Sequence, residues 1–179
     1  MGRAPVALVA SLCVLASGAV AHAAAGDPWK PLRRPLHLPS LAVGEPCPFS
    51  QVRRRQGVAD ALGEEPPWVH PFPGGYLPLS RARPRRDGWF AYRVGWIAPR
   101  RLAGHVLVRG RRIDRLGPLR FAATATARPR AELRLTFTAS RRARPHRAWL
   151  LVRSPGCFGL QQDGATFSGT LVFGARLSS

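Results

Sequence analysis

The chain has 179 residues and a formal net charge of +19, with 28 Lys and Arg against nine Asp and Glu. That length suits one domain with a substantial core, and so few acids leave little material for paired-carboxylate chemistry. Lys30 is the only lysine, so the excess is arginine, which predicts attraction to polyanions and is also what G+C-rich codons impose alongside Ala, Gly and Pro.

The N-terminus reads as a secretory signal peptide over residues 1–25. Arg3 supplies the positive charge, Val6 to Val20 is apolar and uncharged, and Ala21-His22-Ala23 and Ala23-Ala24-Ala25 both offer small-x-small sites, so cleavage follows Ala23 or Ala25. The run is short for a membrane span, which needs about 20 residues, and no second segment of spanning length follows. Removing it takes away Cys13 and leaves Cys47 and Cys157 in an oxidising compartment, where an even pair is expected to form one disulfide. Neither cysteine has His or acidic neighbours at metal-ligand spacing.

Residues 26–88 form a Pro- and Arg-rich segment. Pro28, Pro31, Pro35, Pro39, Pro46 and Pro48 break Asp27 to Ser50, leaving Leu36-His37-Leu38 as a short edge strand, since proline is barred from central positions. Gln51 to Gly88 reads as a long irregular excursion, with Val58 to Glu65 able to make a turn or two of helix. Trp68, Phe72 and Tyr76 within it either form a sugar- or peptide-binding platform or pin the loop to the core. Pinning is favoured, because burying a large apolar side chain gains about 1.5 to 3 kcal/mol.

Residues 89–179 hold the main strands. Trp89 to Ile97 places Phe90, Tyr92, Val94 and Trp96 on one face, with Arg93 and Gly95 on the other, the period-two pattern of a half-buried strand. Gly104 to Arg109 and Leu119 to Thr126 are further candidates. Glu132 to Thr138 alternates most clearly, with Leu133, Leu135 and Phe137 on one side. Arg147 to Arg153, Phe158 to Gln162 and Thr166 to Phe173 complete the set, and Gln162-Asp163-Gly164-Ala165 reads as a hairpin turn. Six or seven short strands without a long amphipathic helix predict an all-β, antiparallel β-sandwich, with a partly open barrel as the other solution.

Four stretches bear a resemblance: Arg34 to Pro39 running on to Cys47-Pro48, Gly104 to Arg112, Pro155-Gly156-Cys157-Phe158, and Asp163-Gly164 with Phe167-Ser168. Together they resemble a group of uncharacterised exported actinobacterial proteins. In that group the Pro-Gly-Cys-aromatic segment, the polar turn and the last strand look like the end of an immunoglobulin-like sandwich. The resemblance implies a fold and no activity.

Chemistry-bearing patterns are sparse. His37 and His105 read as strand residues, His70 and His146 as loop residues beside proline, and their spacing matches no metal motif. Glu64 and Glu65 face apart on an extended chain, while Asp114 and Asp163 read as turn residues. Ser168 has no Gly-x-Ser-x-Gly context, and Pro73-Gly74-Gly75-Tyr76 lacks the lysine and helix of a phosphate loop. No cofactor or metal is expected.

What remains is basic. Arg53, Arg54, Arg55, Arg83, Arg85, Arg86, Arg111, Arg112, Arg141, Arg142 and Arg144 punctuate loops and strand ends, and several can share one end of a sandwich. Such runs bind phosphate-rich polymers by counterion release, and outside the cell the candidates are anionic lipid headgroups and acidic wall polymers, without specific nucleic-acid recognition. The leading expectation is an exported, non-enzymatic module associated with the envelope or an anionic partner. The alternatives are a small secreted hydrolase whose site, from Asp87, Asp114, Glu132 or the histidines, assembles only in the fold, and a scaffold that binds a protein through an edge strand.

Overall fold

A computed structural model describes residues 26–139 and 145–177. The signal-peptide region with Cys13, and Arg141, Arg142 and Arg144, lie outside the described residues. Among the described residues twelve strands occur in chain order: β1 (Val52–Arg55), β2 (Val58–Leu62), β3 (Trp68–His70), β4 (Tyr76–Pro78), β5 (Arg83–Pro84), β6 (Phe90–Ile97), β7 (Gly104–Arg112), β8 (Arg120–Ala122), β9 (Glu132–Phe137), β10 (His146–Val152), β11 (Gly156–Gly164) and β12 (Ser168–Arg176). They form two sheets. Sheet one has the order β1-β2-β3-β6-β10-β8, with β5 also paired to β6, and sheet two has the order β4-β12-β11-β7-β9. Every pairing is antiparallel except β4 with β12, so the expected all-β sandwich is present with about twice the expected number of strands.

Alternation explains the core. Tyr92, Val94 and Trp96 of β6 and Ala148, Leu150 and Val152 of β10 face inward from sheet one. Leu135 and Phe137 of β9, Phe158 and Leu160 of β11, and Leu171, Phe173 and Ala175 of β12 meet them from sheet two. The Phe173 ring packs 5.0 Å from Phe72 and 5.5 Å from Phe158. Side chains of period two from two facing sheets fill one layer, which is how a sandwich buries its apolar faces.

Residues 51–88 differ from the sequence expectation. They are not an irregular excursion, and Val58–Leu62 is a strand rather than helix. Val58, Ala61 and Leu62 suit one side of a short helix as well as a strand, and pairing with β1 decides: Val52 lies opposite Leu62 and Arg55 opposite Val58. The turn between them is Gln56-Gly57, with φ of 50° and 80°, the positive values that a two-residue hairpin with right-twisted strands requires. Phe72 is buried in the core and pins the segment to it, whereas Trp68 is buried on the outward face beneath Arg55 and Tyr76 packs half-buried against Phe49.

The N-terminal segment also differs. Leu36-His37-Leu38 belongs to no strand. Instead residues 33–50 run as an extended strap across the outward face of sheet two, antiparallel to β11. Arg34 donates to the carbonyls of Gly164 and Phe167, the His37 amide donates to Gln161 Oε1 at 2.7 Å, and Gln161 Nε2 donates to the Pro35 carbonyl at 2.9 Å. Further along, Leu38 packs with Ile113 and Val172, and the Cys47–Cys157 disulfide fastens the strap, with Cα atoms 5.6 Å apart. The Pro-rich sequence explains this route. Prolines deny the strap its ladder donors, so side chains of the sheet must supply the hydrogen bonds.

Beneath the strap lies a second correction. Asp163 and Gly164 are not turn residues but the last two residues of β11, and the turn is Ala165-Thr166-Phe167, closed by Gly164 N–H to the Phe167 carbonyl. Asp163 is fully buried. Its carboxylate accepts from Arg109 Nη2 at 2.7 Å, Ser168 Oγ at 2.7 Å and Gln161 Nε2 at 3.0 Å, while Arg109 also donates to the Arg34 carbonyl. A buried charge is tolerable only when paired and hydrogen-bonded in this way.

Candidate functional site

The outward face of sheet one has a different character. By alternation it presents Trp68 and His70 of β3, Ala91, Arg93, Gly95 and Ile97 of β6, Arg120 and Ala122 of β8, and Arg147, Trp149 and Leu151 of β10. No Asp or Glu stands among these positions. Three tryptophans on this side are each covered by an arginine: Arg55 lies 5.5 Å from the Trp68 ring centroid, Arg153 4.6 Å from Trp89, and Arg83 6.0 Å from Trp149. Such stacking holds a guanidinium in place while leaving its N–H edge available.

Sheet one is interrupted on this face. On the edge of β6 away from β10, β3 pairs only with Gly95 to Ile97 and β5 only with Phe90 and Ala91. Tyr92, Arg93 and Val94 therefore have no strand partner there. The gap opens into a depression of about 410 Å³ lined by Arg81, Ala82, Arg83, Tyr92, Arg93 and Trp149. Arg81, Arg83 and Arg93 are exposed, and none forms an ion pair with an acid among the described residues. Burial raises the Tyr92 hydroxyl pKa, with Arg81 opposing and Asp60 adding to the shift.

Beside the notch the His70 ring lies over Gly95, where a Cβ would collide with the imidazole. Burial lowers the His70 pKa, and among the described residues its Nε2 is buried without a hydrogen-bond partner. The neutral ring is what this packing accommodates.

The arginines singled out in sequence take varied places. Arg53 and Arg54 are exposed on the outer strand β1 and, like exposed Arg86, make no ion pair among the described residues. Arg85 is structural: it holds Asp87 bidentately at 3.0 and 2.8 Å and donates to the Ala125 and Ala127 carbonyls. Arg112 is structural too, buried against Phe158 and paired with Asp114 at 2.6 and 2.9 Å. Arg111 reaches Ser40 of the strap at 3.5 Å. Arg85 and Arg86 lie just before β6, whereas Arg53–Arg55 are on β1, two strands removed from β6 beyond β2 and β3. Arg83 alone of the set lines the notch; Arg81 and Arg93 join it only through the fold.

The hydrolase candidates are not brought together. Asp87, Asp114 and Glu132 are each clamped by a separate arginine, Glu132 by Arg33 at 2.8 and 3.2 Å. Those hydrogen bonds hold all three carboxyls below their ordinary pKa, opposite to the raised value a general acid requires. His37 sits in the strap rather than a strand. His105 is in β7 against Trp29, and His70 and His146 belong to β3 and β10 rather than to loops. Among the described residues no three His, Cys, Asp or Glu form a group that could hold a metal ion, and no helix is long and apolar enough to cross a membrane. Comparison with protein-family models, curated proteins and solved structures found no significant match.

Proposed function

We propose that the protein is an exported, non-enzymatic binding module that associates with the cell envelope, or with another anionic partner, through the outward face of sheet one. The observation behind this reading is the charge of that face: β3, β6, β8 and β10 present Arg93, Arg120 and Arg147 outward with no acid among their outward positions. Asp27, Asp87, Asp114, Glu132 and Asp163 each hold an arginine, and none of them pairs with Arg93, Arg120 or Arg147. The outward face therefore offers charge unopposed by acids, where a polyanion could displace counterions. The disulfide fits an oxidising compartment, as does the signal-like N-terminus, and both support an extracytoplasmic location.

The test is binding of the purified protein to isolated envelope fractions and to vesicles of phosphatidylglycerol or phosphatidylcholine, at low and high salt. Binding to an envelope fraction or the anionic vesicles at low salt, weakened by reversing Arg93 and Arg147 to Glu, is the expected result. Equal retention on phosphatidylcholine, or no binding at low salt to any of these materials, refutes the reading.

A further inference from the structure

Resting on that reading and narrowing it, we propose that the break in sheet one is a discrete binding site for a phosphate ester, engaged by Arg81, Arg83 and Arg93 beside Trp149. Two other features are weaker candidates. The depression of about 290 Å³ near Ser154 is lined by Arg112, Arg115 and Arg153, but Asp114 already neutralises Arg112. The buried Arg109–Asp163 pair is consumed in holding the strap.

The notch differs from both in being built and unsatisfied. Its three arginines come from two segments, Arg81 just before β5 and Arg83 at its start, and Arg93 from β6; all line one open volume and none forms an ion pair with an acid among the described residues. Neighbouring like charges repel, and an anion shared among these three side chains would relieve that repulsion. Arg83 is steadied against Trp149, and pairing of Arg93 with Trp149 across β6 and β10 sets the spacing.

The count of guanidinium groups favours phosphate over carboxylate. One bidentate arginine saturates a planar carboxylate, whereas a phosphate offers oxygens in a tetrahedron that several arginines can share. The depression is wide for a bare phosphate but within the range of small-ligand sites, about 300 to 1,000 Å³, so room remains for the alcohol that bears it. Because the depression opens at the surface, that alcohol can belong to a polymer or to a lipid headgroup.

Isothermal titration of the full protein at low salt tests the site with inorganic phosphate, acetate, a glycerol-phosphate oligomer and phosphatidylglycerol vesicles. Phosphate is expected to bind more tightly than acetate, and the oligomer or the vesicles more tightly still. Arg81→Ala and Arg93→Ala should each weaken phosphate-ester binding by about tenfold, the loss of one charge-assisted contact. Arg101→Ala, which removes the same charge from an exposed position between β6 and β7, should change it by less than about twofold. Binding of the oligomer without the vesicles assigns a polymer, and the reverse assigns a headgroup; both support the site. Equal losses in all three variants overturn the notch while leaving diffuse envelope association standing. Acetate binding as tight as phosphate overturns the phosphate assignment, and failure of every phosphate probe to bind overturns the site, whatever the envelope fractions show.

Discussion

Replacing Asp163 with alanine should be among the most damaging single changes in the molecule. The carboxylate is fully buried and accepts hydrogen bonds from Arg109, Gln161 and Ser168. Its removal strands the Arg109 guanidinium, whose side chain is only 16% exposed. Breaking a buried pair from one side costs about 3 to 5 kcal/mol, and the residual exposure of Arg109 places this case at the lower end, about 3 kcal/mol. For a domain of this size that corresponds to a fall in Tm of about 6 to 12 °C. Ser168→Ala removes one donor and should cost about 1 kcal/mol, with Asp163→Asn between the two. Urea denaturation of the disulfide-intact protein measures all three. Hydrogen exchange supplies a second readout: because Gln161 and Arg109 hold the strap backbone at Pro35, His37 and Arg34, the His37 amide should exchange faster in Asp163→Ala. A loss below about 1 kcal/mol, as expected of a solvated turn residue, would refute the buried-cluster assignment.

Further expectations concern other parts of the fold. Replacing both Cys47 and Cys157 with serine opens a loop spanning 110 residues and should cost about 4 to 5 kcal/mol by chain entropy; an unchanged urea midpoint would count against the strap as a stabilising element. Gly95→Ala pushes a methyl group into the His70 ring and should cost about 1 to 3 kcal/mol, with much of that recovered in the Gly95→Ala/His70→Ala double variant. Stability should fall as pH drops below about 6.5, because the unfolded chain protonates His70 while burial keeps the folded ring neutral; His70→Gln should flatten that part of the profile. A second decline should begin near pH 5, since Asp114 and Glu132 have lowered folded pKa values and the unfolded chain takes up their protons first. Weaker acid sensitivity in Asp114→Asn would confirm the sign.

The longer strands from β6 onward were legible in the sequence, and where one face is apolar, as in Phe90 to Trp96 and Leu133 to Phe137, period two survives whatever lies opposite. The cysteine pairing was legible by count. Short strands such as β3 and β5 left no periodic signal, since two or three residues cannot display one, and β2 satisfied helix and strand patterns equally until β1 paired with it. Asp163-Gly164 was misread because an Asp-Gly dipeptide has the chemistry of a turn, and only the strap and Arg109 convert that position into a buried charge site. The arginine notch was the least visible feature. Arg93 was placed on the outward face by alternation, but its companions depend on β10 bringing Trp149 beside it and on β3 and β5 stopping short of Tyr92. Local patterning reports which face of a strand is apolar, whereas convergence of charges from separate strands depends on register and on where partners end, and those are settled by long-range packing alone.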